Sequence, residues 1–79
     1  MRVQVLVRLK PGVLDVQGKA IEHGIHGLGF VETSNVRMGR LIELDIDAAS
    51  PDAAQKRVKE ICDKLLANPI IENYEIRQA

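Results

Sequence analysis

Along the first nine residues Val3, Val5, Val7 and Leu9 alternate with Arg2, Gln4 and Arg8, and only Leu6 interrupts the polar set. A period of two belongs to a strand covered on one face. Pro11-Gly12 stops that strand, and Asp15 stands where its carboxylate can cap the first free amides of a helix running to about Leu28. In that helix Leu14, Ile21, Gly24, Ile25 and Leu28 share one stripe, and Gly24 would let the backbone lie close on a sheet. Gly18, Gly24 and Gly27 each cost roughly 1 kcal/mol against alanine in a helix interior, so packing must hold the helix. Gly29 supplies the left-handed residue that ends it.

Val31 to Met38 and Leu41 to Asp47 then read as two strands joined by a turn at Met38-Gly39. Ile42, Leu44 and Ile46 face the core, whereas Leu41, Glu43 and Asp45 take the other face. The first strand of the pair carries Glu32, Thr33, Ser34, Asn35 and Arg37 and reads as an edge. Ser50-Pro51-Asp52 opens a second helix with a capping hydroxyl, a proline at the first helical position and an acid at the positive end of the dipole. Ala54, Val58, Ile61, Cys62 and Leu65 form its buried stripe, with Lys56, Glu60 and Lys64 paired at four-residue spacing outside. Asn68-Pro69 ends this helix, and Ile70 to Arg77 alternates as a final edge strand.

The expected order is βαββαβ. Right-handed, uncrossed connections then favour an α+β, ferredoxin-like sandwich: a four-stranded antiparallel sheet in order 4-1-3-2 with both helices on one face. The bare face would carry Arg2, Gln4, Leu6, Arg8, Leu41, Glu43 and Asp45, apolar residues set among charges. Such a face suits an interface that stays soluble when unpaired, so Leu6, Leu41 and Glu43 are the candidate self-association residues.

Length makes this one domain, 1–79, with a small core that self-association would reinforce. Eleven basic residues balance eleven acidic ones without a run of either sign, which argues against nucleic acid or an anionic membrane as partner. The one cysteine, Cys62, cannot form an internal disulfide, and neither an export signal nor a membrane-spanning run is visible. The expectation is a soluble cytoplasmic protein.

Candidate chemistry is sparse. His23 and His26 lie three apart on the outer side of the first helix, with Glu22 as a poor third ligand, so no native metal site is expected. Cys62 on a buried stripe behaves as a small hydrophobe, with nothing beside it to lower its pKa. Val16-Gln17-Gly18 matches the VQG triplet in the phosphate loop of acylphosphatases, which are βαββαβ proteins. The arginine those enzymes place four residues beyond the glycine is Glu22 here, and their asparagine near the hairpin is missing. A carboxylate at that place repels phosphate.

A different resemblance covers essentially the whole chain. Lys10-Pro11-Gly12-Val13-Leu14-Asp15, Gln17-Gly18-Lys19-Ala20-Ile21 and Leu28-Gly29-Phe30 resemble the PurS family, the small subunits of bacterial and archaeal phosphoribosylformylglycinamidine synthase. So do Val36-Arg37, Gly39-Arg40, Ile42-Glu43-Leu44, Asn68-Pro69-Ile70-Ile71-Glu72 and Tyr74-Glu75-Ile76. Two positions depart from the family pattern: Val16 stands where proline is usual, and Arg40 where lysine is usual. The first loses a preset φ, worth at most about 1 kcal/mol, and the second keeps the charge but changes its hydrogen-bonding geometry.

The resemblance implies a role in de novo purine biosynthesis, in the ATP-dependent amidation of formylglycinamide ribonucleotide with ammonia from glutamine. It implies a non-catalytic subunit with no cofactor of its own, ATP and Mg being held by the large synthetase subunit, PurL. A homodimer, able to pair further into a tetramer, would join PurL to the glutaminase subunit, PurQ. Lys10, Asp15, Arg37, Gly39 and Arg40, on the two turns, are the candidate partner contacts. Asp15 serves equally as a plain helix cap. The alternative is a stand-alone acylphosphatase-like or small-ligand-binding domain.

Overall fold

A computed structural model describes residues Met1 to Gln78. The elements run β1 (Arg2–Leu9), α1 (Val16–Gly27), β2 (Gly39–Asp45), α2 (Pro51–Ile61), a π-helical turn (Cys62–Leu66) and β3 (Glu72–Gln78). β1 lies in the middle of a three-stranded sheet, antiparallel to both neighbours, in the order β2-β1-β3. The expected four-stranded, ferredoxin-like sheet in order 4-1-3-2 is therefore wrong by one strand.

The missing strand is the segment expected over Val31 to Met38. A hairpin turning at Met38-Gly39 needs a left-handed residue there, but positive φ occurs only at Gly12, Gly29 and Asn35 among the described residues. The chain instead runs from Met38 straight into β2. Gly39 is needed for closeness, since a Cβ on it would lie 2.7 Å from the Val7 carbonyl. Asn35, with φ of 54°, interrupts the extended run, and the backbone around it bonds to α1 side chains rather than to a strand.

Alternation in β1 works as expected. Val3, Val5 and Val7 are fully buried and, with Val58, Cys62 and Ala67, make the core. Each of the buried valines contributes about 1.5–3 kcal/mol by leaving water. α2 supplies the roof through Ala54 and Val58, the π-helical turn extends it with Cys62, and Ser50 caps α2 by accepting from the Ala53 amide at 3.1 Å. At Cys62 the helix widens: the Ala67 amide reaches back five residues to the Cys62 carbonyl at 3.0 Å. That turn swings Leu65 off the expected stripe, leaving it 79% exposed. Outside α2 the pair that forms is Arg57 with Glu60 at 3.1 Å, not the expected Lys56–Glu60–Lys64 ladder. Tyr74 on β3 donates to Asp63 at 2.8 Å, and burial together with that carboxylate pushes its pKa up to about 12.

α1 differs most from expectation. It ends as predicted at a left-handed Gly29, with the Phe30 amide returning to the Ile25 carbonyl at 3.3 Å. Its apolar stripe, however, does not meet the sheet: Leu14 is 70% and Leu28 77% exposed, and no α1 residue enters the core. Gly24 has nothing within 4 Å of the place a Cβ would occupy, so close approach is not its purpose. α1 and the return segment 30–38 instead form an arm. The chain measures 50 × 25 × 14 Å with a radius of gyration of 15.8 Å, against about 12 Å for a compact chain of this length. Among the described residues no helix is long and apolar enough to cross a membrane.

Candidate subunit interface

The arm is held by one polar stripe of α1. Asp15, Glu22 and His26 are spaced seven and four apart, so they fall on one side of the helix, about 100° round from the apolar stripe. Asp15 is buried and divides its carboxylate. Oδ1 accepts from the Gly18 amide at 2.8 Å, capping α1, while Oδ2 accepts from the Met38 amide at 2.6 Å, fixing the chain just before β2. One turn further, Glu22 accepts from the Val36 amide at 3.1 Å. His26 Nε2 lies 2.7 Å from the Thr33 carbonyl and, protonated there, donates to it.

Each carboxylate titrates below its ordinary range because its ionised form receives backbone amides. For Asp15 the Gly18 amide acts most and Met38 next, and for Glu22 the Val36 amide leads. Gly18 completes the clasp, since a Cβ there would run into the Val36 carbonyl and lie 2.8 Å from Asp15 Oδ2.

Arg40 closes the other side of the arm's root. Nη1 and Nη2 donate to Glu72 at 2.9 and 3.2 Å, and Nη2 also donates to the Leu66 carbonyl at 2.7 Å. Glu72 accepts from the Asn68 amide at 2.7 Å; this bond, and then Arg40, hold its carboxyl below the usual range. Arg37 Nη2 donates to the Lys10 carbonyl at 3.3 Å, and the Lys10 amide donates to the Ile71 carbonyl at 2.8 Å. Asp15, Gly39 and Arg40 thus border one open cleft of about 240 Å³, while Lys10 and Arg37 meet beside it. Both Nη atoms of Arg40 are engaged, and the space over Gly18 is filled by a carbonyl and a carboxylate, so the cleft is no phosphate cradle.

The open face of the sheet holds the other candidates. Leu6 sits opposite Leu41 on one side and Glu75 on the other. Around them Arg2 pairs with Glu43 and Asp45 at 3.6 and 3.3 Å, and Arg8 with Glu75 at 3.8 Å. Such exposed pairs are worth about 0–1 kcal/mol each, so they keep the face soluble without fixing it.

In the sequence Glu22 and His26 figure as poor metal ligands and Glu72 only within a run that resembles PurS, so their part in holding the arm is new. The signal available for the first two was a polar stripe at helical spacing beside an apolar one. Among the described residues no group of three or more His, Cys, Asp or Glu is placed to hold a metal ion.

The overall fold recurs in known proteins. The profile of PurS, phosphoribosylformylglycinamidine (FGAM) synthase, matches residues 2–79. The chain belongs to the PurS family. The PurS subunit of Bacillus subtilis is 45% identical over 73 residues, spanning 92% of this chain and 86% of its own. The solved B. subtilis PurS superposes with a TM-score of 0.85 at 43% identity, covering 96% of this chain and 94% of that one. A chain in the structure of PurLQS from Thermotoga maritima gives a TM-score of 0.91 at 29% identity, covering 99% and 95%. The chain thus shares its overall fold with PurS relatives, and the likeness covers nearly all of each chain.

Proposed function

We propose that this chain is the non-catalytic assembly subunit of a cytoplasmic phosphoribosylformylglycinamidine synthase, acting as one domain over residues 1–79. It joins a PurQ-type glutaminase to a PurL-type synthetase so that ammonia released from glutamine reaches formylglycinamide ribonucleotide. ATP and Mg act on the synthetase, and this chain contributes no cofactor. The observation that carries this reading is the end-to-end likeness to a chain of the Thermotoga maritima PurLQS structure. The clasp supports it: the side chains that could have done chemistry are spent on backbone amides, which is how a rigid recognition surface is made. Lys10, Arg37, Gly39 and Arg40, gathered at the root of the arm, are the proposed contacts with the larger subunits, and Asp15, buried beneath them, holds the two turns in place. Co-purification tests it: the two larger subunits elute together only when this chain is present, and equal elution without it would end the proposal.

Self-association is the second part of the reading. Leu6, Leu41 and Glu43 on the open face are proposed to contact another copy, giving a dimer or a tetramer. Leu6→Asp or Leu41→Asp, each placing a charge in the centre of that face, is expected to lower the mass in analytical sedimentation while circular dichroism is unchanged. Unchanged mass for both would place the contact elsewhere.

A further inference from the structure

β3 ends the sheet. Its one neighbour is β1, and its register against that strand runs unbroken from Glu72 to Gln78, without proline, glycine or bulge. Edges are ordinarily blunted by one of those devices or by charges that repel a further strand. The hydrogen-bond phase shows which groups are left over. The Lys10 amide donates to the Ile71 carbonyl at 2.8 Å, and bonded pairs alternate along an antiparallel ladder. Asn73, Glu75 and Arg77 therefore turn their amides and carbonyls to β1, while Glu72, Tyr74, Ile76 and Gln78 turn theirs outward. The Glu72 amide is taken by the Asn68 carbonyl at 2.7 Å, but the main chain of Tyr74, Ile76 and Gln78 has no partner among the described residues.

The side chains restrict what can pair there. Glu75 and Arg77 lie on the open face, level with Leu6 and Gln4, whereas Tyr74 and Ile76 lie on the face that α2 roofs. Ile76 is only half buried on that face, since the sheet stops beside it. We infer that β3 pairs antiparallel with β3 of a second copy about a two-fold axis at Ile76, joining two sheets into one of six strands.

Phase, charge and apolar contact select this register together. With the axis at Ile76, Ile76 opposes its own copy and Tyr74 opposes Gln78, so every outward group meets another outward group. Glu75 of each chain then falls opposite Arg77 of the other, and the two Ile76 side chains cover each other under the roofs. Moving the axis to Glu75 or to Arg77 keeps the phase but sets like charges directly opposite, which is destabilising. An axis between two residues loses the phase. Glu75-Ile76-Arg77 is thus its own complement, and this charge match makes the occupant a second copy. The other edge strand, β2, carries Leu41, Glu43 and Asp45 on the open face and no base, so it lacks the match. The paired strands contribute seven residues a side, fewer than the roughly 20–30 of a stable interface, so the contact fills only as concentration rises. It is separate from the proposed contact at Leu6 and Leu41 and stands whether or not the chain bridges larger subunits.

The test follows amide hydrogen exchange of Tyr74 and Ile76 in the full-length chain from micromolar to millimolar concentration. Protection should rise at least about tenfold over that range. Glu75→Arg alone opposes two bases and Arg77→Glu alone opposes two acids, so each should weaken the association about tenfold, with circular dichroism unchanged. Mixed in equal amounts the two variants are complementary again and should regain the protection, which no effect within one chain can imitate. In a half-labelled sample the Hα of Glu75 should show transfer to the Hα of Arg77 in the other copy. Leu41→Asp, remote from β3, should leave the protection in place. Amides of Tyr74 and Ile76 that exchange freely at every concentration overturn the pairing, and so does protection kept in both single variants or lost in Leu41→Asp. Protection that arises only when a larger subunit is added overturns it too, since the edge then takes a strand of that partner.

Discussion

Gly18→Ala is expected to lower stability by about 1–3 kcal/mol, the ordinary cost of forcing an extra carbon into a filled site. In a domain of this size each kcal/mol shifts the melting temperature by about 4–8 °C. Helix propensity alone predicts the opposite, a gain of up to about 1 kcal/mol on replacing glycine. The carbonyl of Val36 and the carboxylate of Asp15 occupy the space the new carbon needs, and neither can retreat without releasing the return segment. Gly24→Ala is the internal control: its Cβ meets nothing, so it should raise stability by up to about 1 kcal/mol. Thermal melts of the two variants should therefore move in opposite directions. Two shifts of the same sign would mean that the clasp is not as tight as the structure shows.

The same residues explain what could be read from the chain and what could not. β1, both helices, their caps at Asp15 and Ser50, and the ending at Gly29 follow from local rules, and those rules held. The segment 31–38 obeyed no strong rule. Its mixture of Val31, Thr33, Val36 and Met38 with polar residues suits an edge strand, and only the side chains of Glu22 and Asp15, 14 and 23 residues earlier, decide otherwise. The apolar stripe on α1 was real, but periodicity gives a face and not the surface that covers it, so assigning it to the chain's own sheet was the error. Leu65 failed for a different reason: a π-helical turn changes the angle per residue, which no stripe drawn at 100° anticipates. Of the candidate contacts, Asp15, Gly39 and Arg40 border a single cleft, as turns joined by β1 and β2 allow.

Acid is expected to loosen the arm. In the folded chain Asp15, Glu22 and Glu72 all hold their carboxyls below the ordinary range, because ionised oxygens accept amide or guanidinium hydrogens. The unfolded chain then takes up protons at higher pH than the folded one. Stability from these groups is fully present above the unfolded values of about 4 and is lost as the pH falls through the lowered folded values. Melting temperature should drop by several degrees between pH 6 and pH 3. The amide resonances of Met38 and Val36 should titrate with Asp15 and Glu22 respectively. Asp15→Asn keeps a single carbonyl acceptor, so it should flatten the Met38 titration and leave that of Val36 in place. A melting temperature independent of pH over this range would remove the carboxylates from the account.

Val16 and Arg40, the two departures from the family pattern, are both accommodated. Val16 opens α1 without proline, since Asp15 already fixes the start of the helix through Gly18. Arg40 makes a forked contact with Glu72 that a lysine, as a point donor, could not reproduce.

The most direct measurement compares two ammonia sources. Synthesis of phosphoribosylformylglycinamidine is followed with the two larger subunits, with and without this chain, first with glutamine and then with an ammonium salt. If the chain acts by joining the subunits, omitting it should cut the glutamine-dependent rate at least about tenfold, more than 1.4 kcal/mol of barrier, and leave the ammonium-dependent rate unchanged. Equal glutamine-dependent rates with and without it would contradict the account, and so would an ammonium-dependent rate that falls just as far.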